Sequence, residues 1–232
     1  RELDIEVVAI TGSNGKTSTK DFTKAVLAER FKVHATLGNL NNHIGLPLTI
    51  LSTEEDDEVC VLEMGMNHAG EISPLCQIAK PRIGVITNVG TAHIEFLGSR
   101  QAIAEEKGAL ARALPADGVL IVSAACDYAE YFRDHTRARS MIVGNGRGEI
   151  RAEELRMDLN GSKFLLVIDG QESQKVRLPV IGRHMVANAL LAAGVGHTLG
   201  MPITEIAAGL NRATLTSGRL RAFQCAGVTV FD

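Results

Sequence analysis

The chain holds 232 residues with a net charge of −3, 45% hydrophobic residues and only six prolines. That length fits one large α/β domain or two small ones, and the apolar content excludes a disordered chain. The slight negative charge, with no Lys/Arg-rich block, argues against a nucleic-acid surface.

The first apolar run, Val7-Val8-Ala9-Ile10, leads into Thr11-Gly12-Ser13-Asn14-Gly15-Lys16-Thr17-Ser18 and then a helix-like stretch. Strand, glycine loop and helix start, in that order, are what a bound nucleotide triphosphate requires. Gly12 and Gly15 let successive N–H groups, those of Ser13 and Asn14 among them, converge on phosphate oxygens. The helix adds the positive end of its dipole. Lys16 reaches the terminal phosphates, and the Thr17 hydroxyl offers a magnesium ligand. The usual G-x-x-x-x-G-K-[ST] spacing would place glycine at position 10, where this chain has Ile10. A turn carrying a solvated lysine is the plainer alternative, and the flanking strand and helix weigh against it.

Strands are expected at 7–10, 33–35, 59–64, 83–89, 119–123 and 140–143, and helices at 17–30, 46–51, 71–79, 100–113 and 126–134. Several strands are continuous apolar runs, as in a parallel sheet covered on both faces. The expected core, running to about residue 145, is therefore a doubly wound, mostly parallel α/β sheet in three layers. Residues 150–180 alternate apolar and polar, with Asn160-Gly161 and Asp169-Gly170 as hairpin turns. This predicts a small antiparallel sheet appended to the core. Helices return over 184–199 and 202–211, with Pro202 near a start where its missing N–H costs little. Cys60, Cys76, Cys126 and Cys225 are scattered with no C-x-x-C pair, so buried reduced thiols are expected rather than a metal site. No apolar stretch approaches the ~18 residues of a membrane span, and no signal-peptide pattern opens the chain, so a cytoplasmic protein is expected. The sequence opens on a charged segment and stops in a strand-like pattern at Val228-Thr229-Val230-Phe231-Asp232. It reads as one module of a longer polypeptide.

Ligands collect at the carboxyl ends of parallel strands. After the second long apolar strand comes Glu63, then Gly65-Met66-Asn67-His68-Ala69-Gly70-Glu71; after the third comes Asn88-Val89-Gly90-Thr91-Ala92-His93. A carboxylate at the end of an apolar strand is costly unless a cation pairs with it, so metal ligation by Glu63 competes with a solvated strand end. His93 reads either as a loop histidine or as a ligand beside it. Lys107, within Ala104-Glu105-Glu106-Lys107-Gly108, has the pattern of a solvated helix lysine, and spacing alone does not single it out.

These residues together resemble the Mur ligase superfamily, ATP-dependent amide-forming ligases of cell-wall precursor synthesis. The resemblance runs from Thr11 to Thr17, through Glu63, the Thr-Asn-Val-Gly-Thr-Ala-His run ending at His93, and Gly182-Arg183-His184-x-x-x-Asn188-Ala189, to Gly218-Arg219-Leu220. It covers essentially the whole chain, and the family's shortened phosphate loop accounts for Ile10. The stretches Gly38-Asn39-Leu40-Asn41-Asn42-His43-Ile44-Gly45 and Glu63-Met64-Gly65-Met66-Asn67-His68 resemble one branch, which joins D-alanyl-D-alanine to UDP-N-acetylmuramoyl-tripeptide.

The resemblance implies the central ATPase domain of a three-domain enzyme, with the uridine-nucleotide domain and the last domain outside these residues. It implies ATP and two magnesium ions, one held by Thr17 and Glu63, the other by His93. It matches Lys107 to a lysine modified by carbon dioxide, a carbamate being an anionic oxygen ligand. Inward-pointing Glu105 or Glu106 would oppose the neutral amine that this modification needs. Asn188 and His184 are matched to the adenine pocket and Arg219 to the ribose or a phosphate, while Asn41, Asn42, Asn67 and His68 are matched to the peptidyl substrate. Loop capping explains these last polar residues nearly as well. A monomer is expected. The alternatives are another ligase of the superfamily, such as a folylpolyglutamate synthase, or a phosphate-loop module without ligase activity.

Overall fold

The computed structural model describes residues 5–146, 148–169, 171, 173–216, 222–225 and 228–231. Its elements in chain order are β1 (Glu6–Thr11), α1 (Lys16–Leu27), β2 (Val33–Ala35), α2 (Gly45–Leu51), β3 (Val59–Glu63), α3 (Ile72–Ala79), β4 (Ile83–Ile86), α4 (Ile94–Leu97), α5 (Arg100–Ala113), β5 (Val119–Ser123) and α6 (Ala129–Asp134). They continue with β6 (Arg139–Asn145), β7 (Ile150–Asp158), β8 (Gly161–Ile168), β9 (Gln174–Leu178), α7 (Arg183–Thr198), α8 (Ile203–Arg212), β10 (Ala222–Cys225) and β11 (Val228–Phe231).

Alternation within each apolar run decides the layers. Val8 and Ile10 of β1 join one hydrophobic cluster and Ala9 joins a second; Val59 and Val61 of β3 divide from Cys60 and Leu62 in the same way. Both faces of the strands are thus apolar, and both must be covered. Helices α1, α7 and α8 pack together on one side, while α3 and α5 cover the other. Buried Cys60, Cys76 and Cys126 are free thiols, as expected. Burial raises Cys60 to about 11 and Cys76 to about 12. The Cys225 side chain lies outside the described residues.

The sheet order is β2-β3-β1-β4-β5-β6-β7-β8-β9. Strands through β7 pair in parallel, and β7-β8-β9 form antiparallel pairs. The antiparallel part is appended at the β6 edge and continues the same sheet, since Val143 pairs with Ile150. Asp158 pairs with Gly161, so the hairpin loop is Leu159-Asn160, one residue earlier than the sequence pattern predicts. The Asp158 carboxylate accepts the Asn160 N–H and fixes that turn. Gly170, of the other expected turn, lies outside the described residues. No helix among the described residues is long and apolar enough to cross a membrane.

The contact between α1 and α8 is close because position 209 has no side chain. A Cβ on Gly209 would sit 2.5 Å from Val26 Cα and 2.7 Å from the Ala25 carbonyl oxygen. Backbone cannot step aside as a side chain can, so Gly209→Ala is expected to destabilise the fold by about 1–3 kcal/mol. Urea unfolding measures this; an unchanged midpoint would show that the two helices separate freely.

Candidate active site

Strand β1 lies between β3 and β4, all parallel, with Ile10 opposite Glu63 and Thr11 opposite Ile86. Their carboxyl ends therefore open on one rim. Strand β4 stops at Ile86 rather than running on to residue 89: the Thr87 N–H still meets Thr11 O at 3.0 Å, but the side chains of Thr87 and Asn88 turn to the phosphate loop. Thr87 Oγ1 donates to Asn14 O at 2.6 Å, and Asn88 Nδ2 donates to the same oxygen at 3.0 Å. In return the Asn14 N–H meets Asn88 Oδ1 at 3.1 Å, and the Gly90 N–H meets Ser13 Oγ at 2.9 Å.

Gly15 caps α1 in the left-handed region, at φ 81°. A Cβ there would approach Asn188 Oδ1 to 2.7 Å, so glycine is required both by the backbone angle and by the neighbour. This contact also places Asn188, on α7, directly against the loop. Lys16 Nζ donates to Gly12 O at 2.9 Å.

Glu63 is only 3% exposed. Thr17 Oγ1 donates to its Oε2 at 3.0 Å and Asn41 Nδ2 to its Oε1 at 2.8 Å. Its own N–H is held by Thr36 Oγ1 at 2.9 Å. The carboxylate faces a cavity of about 780 Å³ walled by residues 13–18, by Gly38, Asn39, Asn41 and Glu63, and by His184, Met185, Asn188 and Thr216. That volume suits a nucleotide-sized ligand. A neighbouring hollow of about 490 Å³ shares His184 and Asn188 with it and is lined also by Thr87, Asn88 and Arg183.

His93, Lys107, Asn42, Asn67 and His68 are not among the residues that line this cavity. His93 caps the short helix α4 at φ 64°, three residues beyond the Gly90 contact with the loop. Lys107 is 2% exposed, so the solvated-lysine reading does not hold. Burial first, and the Lys16 charge second, pull its ammonium down to about 7, against the opposing Glu106 carboxylate. Glu106 does point inward, yet it accepts the Gly70 and Ile72 N–H groups, each at 2.7 Å, and so caps the start of α3. Glu105 is exposed and bonded to Gln101.

Asn42 accepts from the N–H groups of Ile44 and Gly45 and so caps α2, which gives it a structural task. Asn67 and His68 are exposed; Glu71 accepts the Asn67 N–H at 2.6 Å and lies 3.2 Å from His68 Nδ1. The His68 ring lies 4.8 Å from the Phe96 ring, centroid to centroid. Arg219 lies outside the described residues. Thr36, Asn39, Thr87 and Thr216 were not singled out by sequence. The Thr-Asn-Val-Gly run and the Gly38-Asn39 stretch held the signal for two of them, whereas Thr36 and Thr216 carry none.

The family description Mur ligase middle domain matches residues 10–196. The UDP-N-acetylmuramoyl-tripeptide–D-alanyl-D-alanine ligase of Bacillus subtilis is 39% identical over 221 residues, covering 95% of this chain and 47% of that protein. The ligase of the same name from Mycobacterium tuberculosis is 38% identical over 232 residues, covering 98% of this chain and 45% of that protein. Among solved structures, MurF from Acinetobacter baumannii superposes with a TM-score of 0.94 at 34% identity, covering 99% of this chain and 50% of that one. The MurF ligase from Thermotoga maritima in complex with ADP gives 0.89 at 27% identity, covering 99% and 53%. The chain spans about half the length of the curated relatives it matches. It belongs to the Mur ligase middle domain family.

Proposed function

We propose that this chain is the ATP-binding middle domain of a ligase joining D-alanyl-D-alanine to UDP-N-acetylmuramoyl-tripeptide. The observation that carries the reading is the buried Glu63 carboxylate set beside Lys16 and Thr17 on one cavity wall. The names of the relatives and the ADP in the Thermotoga maritima structure support both the nucleotide and the peptide substrates.

In this reaction the tripeptide's terminal carboxylate attacks the γ-phosphorus of ATP. An acyl phosphate forms and ADP leaves. The amine of the dipeptide then attacks the acyl carbon, loses a proton, and phosphate departs as the amide forms. Two anions must meet in the first step, so positive charge is the first requirement. The Lys16 ammonium and the loop N–H groups supply it where charge develops.

Magnesium fits the donor set. Thr17 and Glu63 offer hard oxygens, and no cluster of three His, Cys, Asp or Glu among the described residues makes a full protein cage. That is the pattern of a cation shared with phosphates and water. When bound, magnesium draws charge from the γ-phosphate. We assign a second cation to His93 and to Lys107 after its amine adds carbon dioxide. With its ammonium drawn down to about 7, half of Lys107 is the neutral nucleophile at that pH. His184 and Asn188 would take the adenine, and Asn41, which lines the same cavity and donates to Glu63, would meet the peptidyl substrate. The enzyme is read as cytoplasmic, where ATP is supplied.

The test is product formation by the full-length protein given ATP, magnesium, the uridine-linked tripeptide and D-alanyl-D-alanine. ADP and joined peptide are expected in equal amounts, and omission of either peptide partner should abolish the amide product. ATP cleavage indifferent to the tripeptide, or extension of a folate in its place, would overturn the assignment.

A further inference from the structure

A line of polar contacts, most of it out of water, runs from the segment after α8 to Glu63. Thr216 donates twice to Asp21 Oδ2, from its N–H and its Oγ1, each at 2.8 Å. Asp21 Oδ1 lies 3.2 Å from Lys20 Nζ, with the two side chains only 11% and 6% exposed. Lys20 Nζ donates onward to Thr36 O at 2.9 Å. Thr36 Oγ1 in turn accepts the Glu63 N–H. Helix α1 thus carries Lys16 and Thr17 at its first turn and this pair one turn further along.

Neither Lys20 nor Asp21 has a part in the phosphate loop as described above. A covered ion pair stabilises a fold little compared with apolar side chains of the same volume. What it supplies is direction: each partner has one geometry in which its hydrogen bonds are all made. Here that geometry ties a wall of the cavity, Thr216, to the strand end that aims the Glu63 carboxylate.

We propose that Lys20 and Asp21 are positioning residues that couple the seating of segment 213–216 to the loading of a divalent cation at Glu63. The proposal rests on the reading of this cavity as a magnesium–nucleotide site. Coupling of this kind is reciprocal. Nucleotide with cation tightens segment 213–216, and loosening that segment weakens the cation.

The experiment uses the full-length protein, a fluorescent ADP analogue titrated with and without Mg²⁺, and hydrogen exchange across residues 213–216. For the wild type, Mg²⁺ should strengthen binding and slow exchange in that segment. Asp21→Asn should raise the Mg²⁺ concentration needed for half-maximal binding by about tenfold, change Mg²⁺-free affinity by less than about threefold, and abolish the slowing. Thr216→Val, which removes only the hydroxyl donor to Asp21, should shift the Mg²⁺ requirement in the same direction, and Thr216→Ser, which keeps the hydroxyl, should restore it. Thr216 is exposed, so its variants carry the test if Asp21→Asn fails to fold. Unchanged Mg²⁺ dependence in Thr216→Val and in folded Asp21→Asn overturns the coupling, as does an equal loss with and without Mg²⁺, which marks a merely structural role. Failure of the wild type to bind the analogue at all defeats the nucleotide reading instead.

Discussion

Glu63→Gln in the full-length enzyme is expected to lower the rate of ATP-dependent ligation by about 10²–10³-fold while leaving the fold intact. Glutamine has the same shape and keeps one acceptor for the Thr17 hydroxyl or the Asn41 amide. It lacks the negative charge that would hold a cation against the triphosphate. Stability should not suffer, because a carboxylate that is 3% exposed is costly without a cation and its neutral replacement removes that cost. Lys16→Ala should produce a loss of the same order from the opposite side of the charge balance. Steady-state kinetics with a thermal melt on each sample separates the two effects. A Glu63→Gln enzyme with near wild-type kcat contradicts the metal role, and one that fails to fold makes Glu63 a structural residue.

Lys107→Met should stabilise the protein, by an amount that depends on pH. The lysine titrates at about 7 in the folded chain and at 10.5 when unfolded. Below pH 7 both states carry the proton, and folding bears the full cost of holding the charge out of water and near Lys16, on the order of 5 kcal/mol for a shift of this size. Between pH 7 and 10.5 the unfolded chain binds more protons than the folded one, so wild-type stability rises with pH. The advantage of methionine should therefore be largest near pH 6, fall to ~2 kcal/mol at pH 9, and vanish above pH 10.5. Urea unfolding in CO₂-free buffer at these pH values tests it. A difference between variant and wild type that is flat across pH would show that Lys107 is not buried as a titrating amine. Ligation should be lost in the same variant, since methionine can neither carry a carbamate nor stand in for one.

Much of this architecture could be read directly. Apolar runs such as 59–62 and 119–122 belong to strands covered on both faces, and the glycine loop between β1 and α1 reads correctly because its strand and helix flank it in sequence. Local patterns failed where tertiary contacts override them. Thr87 and Val89 have strand-like side chains, yet Thr87 and Asn88 bond to Asn14, and the ladder ends at Ile86. Lys107 has the sequence neighbourhood of a surface lysine, and the tertiary packing of α5 buries it. That Asn42, matched to the peptidyl substrate, also holds the start of α2 is visible only in the fold. Nothing in the sequence pattern singles out Lys20 and Asp21, because their partners at 36 and 216 are distant in the chain. Charge and polarity are visible in a sequence, but the partner that gives them a task is not.

The most direct measurement is a crystal structure of the full-length enzyme with magnesium and a non-hydrolysable ATP analogue. The terminal phosphate should rest against Lys16 Nζ and the N–H groups of residues 12–17, with a cation bound by the oxygens of Glu63 and Thr17. Phosphates seated away from that loop, or a cation that leaves Glu63 bonded only to Thr17 and Asn41, would contradict the account.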